Sequence, residues 1–186
     1  MKKQSFIAAL LLSLSIQANA VVISLEGQEA DGANLNIFGL TNSDTSEVLE
    51  IGYNFIYQAL EPSWGSEMVL EVGHIDSDTF FQFGTQEIGC ADFGVVCEVD
   101  LAFSDEPGVY TASGTLSLTA GEIADGSGLW EILIADSFDD DGADGVFLAG
   151  SFIEVVQGTR SVSSPAAVLL LLLSLGVLTV RKQLFK

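Results

Sequence analysis

Between residues 21 and 159 the chain has no lysine and no arginine; its six basic residues are Lys2, Lys3, Arg160, Arg181, Lys182 and Lys186. All 26 aspartates and glutamates fall between Glu26 and Glu154, so this central segment carries a formal charge of −26 with no internal countercharge. Phosphate recognition runs on lysine and arginine, which excludes nucleic acid as a partner and argues against direct binding to an anionic membrane surface. Self-repulsion of this size destabilises a compact state unless cations screen it, over a Debye length of roughly 10 Å at 0.1 M salt. Histidine is almost absent too. His74 is the single one, so Ser-His-Asp or Cys-His catalysis would have to run through it, and Ser-Lys catalysis has no lysine in the segment to use. A pair of carboxylates for glycoside hydrolysis exists in principle, but no spacing singles one out. The expectation is therefore a non-enzyme, with a secreted hydrolase centred on His74 as the weakest alternative.

Also missing between residues 21 and 160 is any long 3.6-residue apolar period. Short alternating runs rich in Gly, Ser, Thr and Asp take its place, which predicts an all-β fold. Strands are expected over Val21 to Leu25 and Leu35 to Leu40. The clearest alternation places Leu49, Ile51, Tyr53, Phe55 and Tyr57 on one face, with Glu50, Gly52 and Asn54 on the other. Met68, Leu70 and Val72 alternate after the Pro62-Ser63-Trp64-Gly65 turn; Phe80, Phe81 and Phe83 form a short apolar strand; Val99, Leu101 and Phe103 resume a period of two. Tyr110 to Leu118, then Trp130, Ile132 and Ile134, then a long return from Val146 to Val156 complete the set. Short strands separated by turns at near-regular spacing predict an antiparallel β-sandwich of jelly-roll type over residues 21–157. Alternating aromatics belong in its core. The competing use, a carbohydrate-stacking platform, falls best on Trp64, which sits in a turn, or on Tyr53 and Tyr57.

The two cysteines, Cys90 and Cys97, lie in this segment and are expected to form one disulfide, closing a short loop worth roughly 2.5 kcal/mol on the chain-entropy model. A zinc site is the competing reading, and it lacks a second pair of ligands.

Both ends read as addresses. Lys2-Lys3, an apolar run from Phe6 to Ile16 and Ala18-Asn19-Ala20 make a basic region, a hydrophobic region and an A-x-A cleavage site, so residues 1–20 are expected to be a signal peptide. At the other end a polar tether at 158–165 leads to the uncharged stretch Ala166 to Val180, followed by a basic tail at 181–186. Its 15 residues would span roughly 22 Å as a helix, slightly short of a usual membrane span, a difference that snorkelling of Arg181 and Lys182 makes up. The basic exit places that end in the cytoplasm and the acidic domain outside.

The densest chemical feature is Asp136-Ser137-Phe138-Asp139-Asp140-Asp141-Gly142-Ala143-Asp144-Gly145. Asp136, Asp139, Asp140, Asp141 and Asp144 could curl their oxygens around one hard cation, and calcium takes six to eight oxygens at about 2.3–2.6 Å. The loop is not an EF-hand: with Gly145 as its sixth residue, Gly142 falls at position three and Ser151 at position twelve. A solvated acidic turn is the plain alternative; the export context and the absence of basic residues favour calcium.

Two resemblances follow from these residues. Gly128-Leu129-Trp130-Glu131-Ile132-Leu133-Ile134-Ala135-Asp136, with the acidic loop and apolar closing strand after it, resembles the last hairpin of the P domain of proprotein convertases. Ser66 to Val72 is similar to an earlier strand of that domain, with Glu67 where Asp is usual. This resemblance implies a jelly-roll sandwich with a calcium site and no catalysis, and makes Trp130 a core anchor. Val162-Ser163-Ser164-Pro165-Ala166, the leucine-rich stretch and Arg181-Lys182 resemble the PEP-CTERM sorting signal cut by exosortases. Val162 and Pro165 match that motif, while Ser163 and Ser164 stand where it has Pro and Glu. The resemblance implies an exosortase-type enzyme as processing partner, transient anchorage in the inner membrane, and delivery to the cell envelope or surface, where surface polysaccharide is the expected environment. The expected role is structural or adhesive.

Overall fold

The computed structural model describes residues 19–32, 35–138 and 142–159. Eleven strands are found there: β1 (Asn19–Ser24), β2 (Glu29–Ala30), β3 (Asn36–Asn42), β4 (Glu47–Ala59), β5 (Met68–His74), β6 (Thr79–Gly84), β7 (Val99–Asp100), β8 (Gly108–Ser117), β9 (Gly128–Asp136), β10 (Gly145–Phe147) and β11 (Phe152–Gly158). Helical structure among the described residues is confined to single turns, one of them α1 (Gly89–Asp92). The expected signal peptide up to Ala18, the sorting residues Val162, Pro165, Arg181 and Lys182, and the stretch 166–180 lie outside the described residues. No helix among the described residues is long and apolar enough to cross a membrane.

The strands form two sheets. One is organised on β4, with β8 along one edge, and β11 and β10 in succession along the other; β1 lies outside β11 and β2 outside β10. The second runs β3-β9-β5-β6-β7. Pairing is antiparallel except between β6 and β7, whose short ladder is parallel. The inward side chains of β4 (Ile51, Phe55, Tyr57) meet those of β5 and β9 (Leu70, Val72, Trp130, Ile132, Ile134) in one core. Phe55 and Phe83 cross from sheet to sheet edge-to-face at 5.7 Å. The result is the sandwich-like packing that two half-buried sheets require.

Three local expectations are corrected. Leu49 does not join the core face of β4. Opposite the Val156–Gln157 step the register slips, with Val156 facing Glu50 and Gln157 facing Val48. This bulge reverses the inward parity, so Val48 is buried and Leu49 only half-buried. The expected long return strand from Val146 to Val156 is two strands. At Leu148 to Ser151 the chain turns through Gly150, which has φ +92°. Ser151 Oγ then replaces a ladder partner on β4, accepting from Ile56 N at 2.9 Å and donating to Ile56 O at 3.1 Å. The run Val99 to Phe103 leaves its ladder after Asp100, because Ala102 takes a left-handed conformation with φ 51°. Leu101 and Phe103 nevertheless stay buried.

Candidate functional site

The acidic loop is anchored at both ends. Asp136 closes β9 and Asp144 precedes β10, and both side chains are buried. Asp136 Oδ1 accepts from Phe138 N at 3.1 Å, while Ser137 N donates to Glu67 O at 2.9 Å. Asp144 is held more tightly: Oδ1 accepts from Ser63 Oγ at 3.0 Å, Oδ2 from Gly32 N at 2.6 Å, and its backbone carbonyl from Leu60 N at 2.8 Å. Asp139, Asp140 and Asp141, expected in the same ligand set, lie outside the described residues. Among the described residues no three Asp, Glu, His or Cys side chains converge closely enough to hold a metal.

Between the anchored ends lies Tyr57. Its side chain is 0% exposed, and its hydroxyl has no hydrogen-bond partner. Gly145 leaves room for that hydroxyl; a methyl group there would collide with it. Burial, and then the charges of Asp136, Asp144 and Glu67, push the phenol far above the ordinary tyrosine pKa. The buried hydroxyl of Ser66 next to Glu67 and that of Ser137 next to Asp136 also have no partner. The sequence pattern had set Tyr57 among core aromatics, which it is; its polar end in acidic surroundings carried no signal in a period of two.

Beside the loop a cleft of about 340 Å³ is lined by Pro62, Trp64, Glu67, Ile88, Asp92 and Phe138. Trp64 is 42% exposed and Phe138 58%. Glu67, buried, accepts from Trp64 N through Oε2 at 2.7 Å and so fixes the turn that carries the indole. Ile88 and Asp92 belong to the cysteine excursion, and the Cys90–Cys97 disulfide is present with a Cα–Cα separation of 5.8 Å. That bridge packs with Val69 in a small satellite core, and with both sulfurs bonded to each other no thiolate is left to ligate zinc. Trp64, the cysteine loop and the acidic loop, three features far apart in the chain, therefore share one surface. Tyr53 does not join them: it is half-buried and packs on Phe55 and Phe83.

His74 is buried at the end of β5, its ring tilted at 47° against Trp130 with ring centres 4.9 Å apart. Nε2 lies 2.7 Å from Ser127 O and Nδ1 2.8 Å from Ser77 Oγ. The carbonyl accepts only, so Nε2 carries a proton and donates to Ser127 O, and Nδ1 lies within hydrogen-bond reach of the Ser77 hydroxyl. A serine hydroxyl within reach of an imidazole is the first requirement of a nucleophile pair, but Ser77 Oγ also donates within reach of Thr79 Oγ1 at 2.9 Å, and the ring lies against the core indole. The neighbouring Asp125 is held below the usual carboxylate range by hydrogen bonds from the Ser127 hydroxyl and backbone N–H, with His74 adding to the effect. This arrangement ties β5 to the 125–127 turn.

Glu67, Asp92, Ile88 and Phe138 were not singled out as site residues from the sequence. The spacing Trp64-x-x-Glu67, with a carboxylate three residues after a turn start, was the available signal for Glu67. No family model matches the chain, and no curated protein or solved structure matches it.

Proposed function

We propose that the chain is an exported, structural or adhesive protein of the cell surface or extracellular matrix, a calcium-stabilised jelly-roll domain delivered by an exosortase-type sorting tail. The observation that carries the calcium part is the convergence of both ends of the acidic loop on the unpartnered Tyr57 hydroxyl, in a segment without a single lysine or arginine. The oxygens brought together there are the Tyr57 phenol and the carboxylates whose charges act on it, Asp136, Asp144 and Glu67, which is the chemistry a hard cation takes. Asp136, Asp144 and the intervening aspartates of the loop would hold the ion, and it would supply the positive charge that the domain lacks.

The jelly-roll reading is supported by strand order. With β1 and β2 taken as one strand and β10 and β11 as another, successive long strands alternate between the two sheets up to β5, and β8, β9 and β10 alternate again. The likeness to the P domain rests on the β9 hairpin. Sorting rests on the tail; a mature chain beginning at Val21 retains the β1 pairs from Val21–Val155 to Ser24–Phe152.

Two measurements test this reading. The full chain in detergent should melt at a higher temperature in millimolar calcium than in chelator at matched ionic strength; ligand at 100 times Kd corresponds to about 2.7 kcal/mol. An unchanged midpoint removes the calcium site. The mass of the protein recovered outside cells should lack both residues 1–20 and the segment after the tether; an intact tail on released protein removes the sorting reading.

A further inference from the structure

Ionised carboxylates only accept hydrogen bonds. Because residues 21–159 hold no lysine or arginine, every permanently charged side chain on the domain surface is an acceptor. A ligand suited to this surface brings hydrogen-bond donors and no negative charge. At the cleft a second demand is added: Trp64, Phe138, Pro62 and Ile88 present apolar faces, two of them large and exposed aromatic rings. A sugar ring satisfies both demands, with a C–H face that stacks on an aromatic and hydroxyls around its rim. The cleft volume of about 340 Å³ lies within the range of roughly 300–1,000 Å³ usual for small-molecule sites.

We infer that the cleft between Trp64 and Phe138 binds a neutral saccharide chain, with the two rings as stacking faces and Asp92 accepting from sugar hydroxyls. Glu67 is a positioning residue: its carboxylate holds the Trp64 backbone at 2.7 Å. The disulfide fixes the Ile88–Asp92 wall, and Phe138 stands on the acidic loop two residues after Asp136. The inference extends the adhesive reading by naming its partner, and it stands apart from the calcium test because binding, not melting, is read.

The test uses the full chain in a detergent without a sugar headgroup. The protein has two tryptophans, and Trp130 is sealed in the core, so a change in tryptophan fluorescence on adding ligand reports Trp64. Neutral hexasaccharides of glucose, mannose and N-acetylglucosamine are the probes, with oligogalacturonate, spermine and an uncharged peptide as competitors. The expected result is saturable binding of at least one neutral hexasaccharide, seen in the parent's fluorescence and by isothermal titration calorimetry; calorimetry, which needs no indole reporter, should find it weakened about tenfold or more by Trp64→Ala, as for loss of a central aromatic anchor. Phe138→Ala should weaken it as well, and neither variant should shift the melting midpoint by more than a few degrees. The inference is overturned if none of the three sugars changes the fluorescence, if Trp64→Ala binds them as the parent does, or if the acidic sugar, amine or peptide binds more tightly than all three.

Discussion

Trp130→Ala is expected to remove about 3–5 kcal/mol of stability, the cost of deleting a fully buried large aromatic, from a domain whose total lies in the range of about 5–15 kcal/mol. The indole is 1% exposed in the middle of β9 and faces the inner side chains of β4. Its Nε1 donates to Gly126 O at 3.0 Å, and its ring supports His74. Replacement by alanine leaves a cavity that two laddered neighbours, β3 and β5, cannot close by moving inward. Trp130→Phe should be milder, at about 1–2 kcal/mol, because the Gly126 carbonyl keeps a second donor in Asn42 Nδ2 at 2.9 Å. Urea unfolding in detergent, followed by far-UV circular dichroism, measures both. A loss below about 1 kcal/mol for the alanine variant would mean that this indole is not the core anchor described above.

A strand is legible in a sequence where a single periodicity governs every position. Where an inward residue must recur every second position, as at Trp130, Ile132 and Ile134, the chain announced both strand and face, and all three are buried. The pairing of Cys90 with Cys97 was equally legible, since no other cysteine competes. Legibility failed where one residue breaks the period. The bulge that exchanges Leu49 for Val48 depends on how β11 is registered against β4, as in the Gln157–Val48 pair, which no local window contains. Ser151 looked like one polar residue in an apolar strand, yet its hydroxyl takes the place of a ladder bond on Ile56 and so divides that strand in two.

The candidate site shows the same division. Asp136 and Asp144 stand out in the sequence because carboxylates crowd together there. Trp64 was found because it sits in a turn. That the turn, the cysteine excursion and the loop at Phe138 meet around one cleft is a consequence of topology. β5 lies between β9 and β6 in its sheet, so the turn leading into β5, the loop leaving β9 and the excursion after β6 emerge side by side at one end of it. Neutral, partly exposed Phe138 is surrounded by acidic residues in sequence, and its role was hidden by their charge.

Alkaline pH should unfold the protein through Tyr57. The phenol pKa is raised in the folded state, first by burial and then by Asp136, Asp144 and Glu67, the carboxylates that face it from β9, the loop end and the turn before β5. A group whose folded pKa exceeds its unfolded value of about 10 stabilises fully below that value, and the contribution is lost as pH rises above it. Stability should therefore fall steeply above about pH 10, where the unfolded chain ionises Tyr57 and the folded one resists. Tyr57→Phe should flatten that limb, leaving the slope of the remaining tyrosines. The same substitution separates two accounts of the hydroxyl at neutral pH. A buried hydroxyl without a partner costs about 1–3 kcal/mol, so in chelator Tyr57→Phe should be neutral or stabilising. In millimolar calcium the variant should lose part of the parent's thermal gain, because the oxygen set around the ion is one member smaller. Equal calcium shifts for parent and variant would leave the phenol outside the ion's coordination, and an unchanged alkaline limb would show that Tyr57 does not govern it.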